Sequence, residues 1–233
     1  MAGALSDPIA TRLTAIRSRI EKACARSGRD AAAVTLVGAS KTHDSIILRA
    51  AYDAGLKIFG ENRVQEGQRK APELPADCAW HLLGPLQTNK VRPAVATFSV
   101  FHAVDREKVA RALDQECAAR NEYREAFLEI NLGGEESKHG FAVETLLTEA
   151  APLAALAHLR VVGLMAIPPV EEDPERARAW FRRLRDLRDR MSARPEWSAW
   201  PGLLSMGMSA DFEIAIEEGA THVRVGTALF GER

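Results

Sequence analysis

The chain is poor in the residues that mark the commoner kinds of site. Its three cysteines, Cys24, Cys78 and Cys117, are odd in number and far apart. No Cys-x-x-Cys spacing occurs, which argues against a zinc site or a dithiol redox pair and for three small buried thiols in a reducing compartment. The six histidines are dispersed without metal-ligand spacing, so no metal is expected. A net charge of −1, from 31 Lys+Arg against 32 Asp+Glu, leaves no global field to attract nucleic acid or anionic lipid. Any anion site has to be local.

Long apolar runs are missing as well. The most apolar stretch, residues 150–170, is broken by Pro152, His158 and Arg160, so it falls short of the ~18 uninterrupted apolar residues a membrane span needs. The N-terminus, MAGALSDPIATRL, has no basic region followed by an apolar core; no signal peptide is expected, and a cytoplasmic location is. No Pro-, Gly- or Ser-rich linker divides the chain. Residues 1–233 therefore read as a single domain, with 1–33 as a leading helix and its connection.

What the chain does have is alternation. A helix over 8–26, with Asp7 as N-cap and Gly28 as terminator, precedes the first strand. Strand-then-helix units follow: 34–39 with 44–54, 57–59 with 62–70, 79–83 with a helix from Gln87, and 98–103 with 106–120. The pattern continues with 126–131 and 143–155, 160–166 and 174–191, 202–205 and 212–217, and a last strand at 222–225. Helix 174–191 is expected to turn Trp180, Leu184, Leu187 and Met191 inward. About eight such units in a chain of this length suit an α/β fold of the (β/α)8 TIM-barrel type with an extra N-terminal helix. A doubly wound open sheet is the competitor, because periodicity does not reveal closure.

In a barrel, ligand-handling groups sit where strands end, on the C-terminal face. Those ends carry Ser40-Lys41-Thr42-His43, Gly60-Glu61-Asn62, WHLLGPLQTNK (80–90), Asp105, Asn131, Met165, SMGMSAD (205–211) and RVGTALFG (224–231). Gly207-Met208-Ser209 runs into a helix, which puts its N–H groups and the Ser209 hydroxyl where a phosphate can bind. Gly226-Thr227 adds room for close approach and a second hydroxyl, and loops after strands seven and eight are a recurring phosphate device. Ser209 as a plain helix cap is the bland alternative. Lys41 at the floor of the mouth would be partly desolvated, exposing a nucleophilic amine suited to Schiff-base formation; the alternative is a solvated loop lysine.

The remaining candidates stay open on their residues alone. Arg224 lies in an apolar strand and needs a partner, which could be Glu61, Asp211 or a ligand ring nitrogen. His81 beside Trp80 reads equally as a satisfied core histidine or a ligand contact. Lys138, in the loop 133–141, reads as a solvated residue, with an anion contact as the alternative. The arginines of helix 174–191 are interspersed with Asp186 and Asp189, the pattern of a salt-bridged solvent face and not of a nucleic-acid patch.

Taken in order, ASKTH (39–43), FGENRVQEG (59–67), WHLLGPLQTNK (80–90), EINLGGEESKHGF (129–141), GLMAIPP (163–169) and the run from Leu204 to Gly231 resemble the pyridoxal-phosphate homeostasis protein family. The resemblance extends from about Val34 to Gly231. It implies a barrel like the N-terminal domain of alanine racemase that binds pyridoxal 5′-phosphate (PLP), with Lys41 forming the Schiff base. It further implies Asn62 beside the cofactor, Ser209, Gly226 and Thr227 on the phosphate, and Arg224 near the pyridine nitrogen. His81, Ser205 and Met208 are further implied contacts. Members often read SKTKP where this chain has His43-Asp44 after Thr42, a change of charge beside the Schiff base.

An arginine at the pyridine nitrogen disfavours its protonation and weakens the electron sink that PLP enzymes use. Alanine racemase offsets this with a tyrosine from a separate C-terminal domain. This chain is expected to lack that domain, and its two tyrosines, Tyr52 and Tyr123, fall in a first-unit helix and in a loop before a strand. The expected function is therefore PLP homeostasis by a non-catalytic, monomeric carrier that supplies apo PLP-dependent enzymes. A single-domain PLP-dependent amino-acid racemase is the alternative. From the barrel alone, a lysine aldolase acting on a phosphorylated sugar is the third reading.

Overall fold

A computed structural model describes residues 3–134, 139–169 and 172–232. Its strands are β1 (Thr35–Ala39), β2 (Ile58–Glu61), β3 (Ala79–Leu82), β4 (Val100–Val104), β5 (Arg124–Asn131), β6 (Leu159–Met165), β7 (Leu203–Ser205) and β8 (His222–Val225). Each pairs in parallel with the next, and β8 pairs back onto β1. The sheet is thus a closed eight-stranded barrel, and the open doubly wound alternative falls away. A two-residue strand, Phe141–Ala142, extends the pairing at the end of β5.

Around the barrel run α1 (Gly3–Arg26), α2 (Ser45–Asp53), α3 (Val64–Lys70), α4 (Val91–Thr97), α5 (Glu107–Ala119), α6 (Leu146–Glu149), α7 (Ala177–Ser192), α8 (Phe212–Glu217) and α9 (Thr227–Phe230). Their apolar stripes meet the outer strand faces in one large buried cluster. α5, for example, buries Val109, Ala110, Leu113 and Cys117, with Leu113 three and four residues from the adjacent first pair and Cys117 four further on.

Three local expectations change. The leading helix begins at Gly3, so its start lies ahead of Asp7 and Pro8 falls inside it, where the missing N–H forgoes one i→i−4 hydrogen bond. The single helix expected over 143–155 is instead α6 followed by a 3-10 turn, Ala151–Ala155, because Pro152 cannot donate an α-helical hydrogen bond. On α7 the inward positions are Ala177, Phe181, Leu184, Leu187 and Met191. Phe181 takes the place expected for Trp180, which is half-buried at the edge of the stripe.

The barrel interior is a different medium. A small apolar cluster of Val100, Ala103, Phe127, Val162 and Met165 lies apart from the outer core. His81, His102, Ser205 and Arg224 are buried as well. A buried polar group persists only if hydrogen-bonded, so this interior has to be read as a network.

Candidate functional site

The register of the strands sets the neighbours of Lys41. Gly38 is level with Val225 of β8, and Ala39 with Gly60 of β2. Ser40-Lys41 therefore emerges between Gly226 on one side and Glu61-Asn62 on the other. The chain then turns: the His43 N–H donates to the Ser40 carbonyl at 3.2 Å, and Thr42 has φ of 68°. A β-branched residue in that left-handed region is strained by about 1–3 kcal/mol. The Lys41 side chain is exposed and not, as the sequence suggested, partly desolvated.

The turn is gripped from beneath by buried charge. Lys70, wholly buried on α3, lies 2.6 Å from Glu61 and 3.3 Å from Glu66, and donates to the Ser40 carbonyl at 2.9 Å. Ser40 Oγ donates to Glu61 Oε1 at 2.7 Å, and the Thr42 N–H donates to Glu66 Oε2 at 3.1 Å. Burial pushes the Glu61 carboxyl up, against the pull of Lys70 and Ser40. Burial also opposes ionisation of Glu66, but the Thr42 N–H and Lys70 together hold its carboxyl below the usual range. Sequence reading missed this network; its only trace was an acidic and a basic residue four apart on a helix, a pattern normally found in solvent.

Across the mouth the loops after β7 and β8 meet. Ser209 Oγ accepts from the N–H groups of Gly226 and Ala228, each at 3.2 Å. Ser209 thus reaches the start of α9, with Thr227 exposed between those two donors. The expected placement at the start of α8 is corrected: α8 begins at Phe212, and the Met208 N–H is taken by Asp211 Oδ1 at 2.6 Å. Gly207 makes the loop possible, since its φ is 91° and a Cβ there would lie 2.6 Å from Ala215 Cβ.

Deeper in the barrel, Arg224 donates through Nη1 to Ser205 Oγ at 2.5 Å and through Nη2 to the Ala166 carbonyl at 3.0 Å. Among the described residues no carboxylate lies within ion-pair distance of it: Glu61 is engaged by Lys70, and Asp211 and Glu129 act only through longer-range attraction. Burial lowers the guanidinium to about 10, where it is still charged near neutral pH. Ser205 Oγ in turn meets His102 Nδ1 at 2.7 Å, and His102 Nε2 meets His81 Nδ1 at 3.0 Å. Burial lowers His81 to about 3 and His222 to about 4, and takes His102 well below its ordinary value. Neutral imidazoles each bring one donor and one acceptor, which is what a chain of this kind requires.

Two further features complete the mouth. A cleft of about 760 Å³ is lined by Asn62, Arg63, Glu66, Lys90, Arg106 and His139 among others, so Asn62 and Glu66 link it to the Lys41 turn. Glu129, on β5, has a buried Oε2 with no hydrogen-bond partner among the described residues, and burial with the charge of Asp105 pushes its carboxyl up. Lys138 lies outside the described residues. The structure thus joins Arg224 to Ser205 and His81, and Ser209 to Gly226, while Lys41 and Asn62 stand exposed on adjoining strand ends. His102, Lys70, Glu66 and Glu129 were not found from the sequence.

Comparison with known proteins gives a consistent picture. A family model described as the alanine racemase N-terminal domain matches residues 11–233. A pyridoxal phosphate homeostasis protein of Aquifex aeolicus is 45% identical over 223 residues, covering 95% of this chain and 97% of its own. The structure of PipY from Synechococcus elongatus without PLP superposes with a TM-score of 0.85 at 36% identity, covering 96% of this chain and 100% of that one. The same protein with PLP bound gives 0.83 at the same identity and coverage.

Proposed function

This chain belongs to the pyridoxal phosphate homeostasis protein family, which carries the alanine racemase N-terminal domain, and on that premise we propose that it holds PLP as a Schiff base on Lys41. When bound, PLP supplies an aldehyde that an amine can capture and a phosphate that needs donors. The observation that carries the reading is that an exposed lysine and a cluster of the Ser209 hydroxyl with the Gly226 and Ala228 N–H groups stand at the ends of the paired strands β1 and β8. Ser209, Gly226 and Thr227 hold the phosphate. Asn62 flanks the ring, and Met208 contributes its side chain, its N–H being engaged by Asp211.

Arg224 supports the same ligand. A charged guanidinium with no carboxylate within ion-pair distance among the described residues, fixed by Ser205 and Ala166, suits a ring nitrogen held as an acceptor, because arginine can only donate. Ser205 orients it directly, and His81 acts from behind through His102 and Ser205. An unprotonated ring nitrogen favours holding the cofactor over using it as an electron sink. Both tyrosines lie away from the mouth: Tyr52 donates to Asp77, just ahead of β3, and the exposed Tyr123 stacks on His158 ahead of β5. The reading is of a single-domain, non-catalytic, monomeric carrier in the cytoplasm that binds PLP reversibly and hands it to apo PLP-dependent enzymes. Among the described residues no helix is long and apolar enough to cross a membrane.

Titration with PLP should raise an absorbance band beyond that of free PLP, and Lys41→Ala should abolish it; a band that survives the substitution would refute the assignment of Lys41. PLP transfer to an apo-aminotransferase faster than spontaneous release would support delivery, and equal rates would limit the protein to buffering. A changed enantiomer ratio in any amino acid incubated with the loaded protein would overturn the non-catalytic reading.

A further inference from the structure

We infer that the cluster of buried Glu61 and Lys70 with half-buried Glu66 is a positioning device for the Lys41 amine, clamping the backbone on both sides of it. The inference rests on the reading that Lys41 carries PLP and deepens it. Before Lys41, the Ser40 carbonyl accepts from Lys70 and the Ser40 hydroxyl donates to Glu61. After it, the Thr42 N–H donates to Glu66, with Thr42 at φ of 68°. A turn with its third residue in this region is normally made with glycine, which reaches it without steric cost. Threonine there is tolerated only while neighbouring groups over-determine it, and the Glu66 carboxylate is one of those groups. Without that acceptor the 41–42 peptide is free to rotate, Thr42 relaxes to negative φ, and the Lys41 side chain swings with it.

A structural role alone accounts poorly for the cluster. Buried ion pairs are weak evidence of stability, because apolar replacements of similar volume are often as good. What an apolar cluster cannot do is accept the Thr42 N–H or donate to the Ser40 carbonyl. Lys70 itself, wholly buried and engaged by three oxygens, is not open to an aldehyde; its part is to hold Lys41 in place.

The test uses the full chain with Glu66→Ala, Glu66→Gln, Thr42→Gly and the Glu66→Ala/Thr42→Gly double variant. PLP affinity is read from the Lys41-dependent absorbance band, and hydrogen exchange at the Thr42 amide is read on PLP-free protein. Glu66→Ala should weaken Schiff-base formation about tenfold, the scale of one charge-assisted hydrogen bond, and speed exchange at Thr42. Glu66→Gln, which keeps an acceptor, should recover most of the affinity. Thr42→Gly in the Glu66→Ala background should also recover it, since glycine needs no clamp to adopt the turn. A merely structural Glu66 would show no such rescue, and failure of Thr42→Gly to restore affinity overturns the inference. Unchanged affinity in Glu66→Ala overturns it equally. Absence of a Lys41-dependent band in the wild type sinks the PLP reading itself, an outcome separable because exchange at Thr42 reports on the clamp without PLP.

Discussion

The two sides of the barrel mouth are built from different chemistry. On the β7–β8 side, neutral groups do most of the work: the Ser209 hydroxyl ties the N–H groups of Gly226 and Ala228, Gly207 lets the loop close over α8, and a carboxylate enters only where Asp211 takes the Met208 N–H. On the β1–β2 side, full charges are buried to fix a turn, with Lys70 and Glu61 both wholly inaccessible. A site for an anion has to offer groups that can turn to it, and backbone N–H groups held by a neutral hydroxyl can exchange that acceptor for a phosphate oxygen. A turn that must present one amine in one direction can be held by carboxylates beneath it. The contrast also sets how each side should fail.

The largest effect is expected from breaking the charged side. Lys70→Met leaves Glu61 buried without its cation, and such a loss typically costs about 3–5 kcal/mol. Urea denaturation near neutral pH should show a loss of that order. The double variant Glu61→Met/Lys70→Met should regain most of it, because an apolar pair of similar volume avoids desolvating two charges. If both variants are equally unstable, Lys70 is needed for packing and the contrast between the two sides loses its basis.

Legibility in the sequence follows the same divide. The strands could be read because parallel barrel strands are short apolar runs, and the polar residues at their ends could be found because the fold confines function there. Ser209, Gly226 and Thr227 stood out as small and hydroxylic residues after two consecutive strands, although the reason given for Ser209 was the wrong helix. Lys70 and Glu66 did not stand out, since on α3 they look like a solvent-facing pair and only the burial of Lys70 distinguishes them. His102 was equally silent: its partner Ser205 is 103 residues away, and only closure of the barrel brings them together. Local patterns carried the elements and long-range contacts carried the network, which is also why Phe181 displaced Trp180.

Acid should act with opposite sign on the interior histidines and on Glu61, whereas Glu66, held below the usual carboxylate range, goes with the histidines. His81, His102 and His222 are held neutral by burial, with folded values below the ordinary 6.5. Below about pH 6.5 the unfolded chain takes up protons that the folded chain refuses, so stability falls with pH by up to about 1.4 kcal/mol per unit for each histidine. The fall should continue toward about pH 4, where His222 begins to titrate in place. Glu61 acts in the opposite direction: its carboxyl is raised in the fold, so the folded state gains on the unfolded one as pH drops through that window. Urea midpoints at pH 7, 6 and 5 should therefore decline, and His102→Leu should flatten the decline. A pH-independent midpoint would mean that the interior histidines are not excluded from protons.

The smallest expected effect is on the neutral side, and it is the most specific. Ser209→Ala removes an acceptor shared by the N–H groups of Gly226 and Ala228. Both lie near solvent at the start of α9, where water can replace the lost oxygen, so the stability cost should be only about 1 kcal/mol. The loss should appear instead in the ligand, as weaker binding of PLP with little change for pyridoxal, which has the aldehyde but no phosphate. Substitution at Glu66 should weaken both ligands alike, because it acts on the amine that each aldehyde meets. Comparing the two ligands across the two variants separates the sides without reference to stability. Equal losses for PLP and pyridoxal in Ser209→Ala would show that the hydroxyl shapes the loop and does not touch the phosphate.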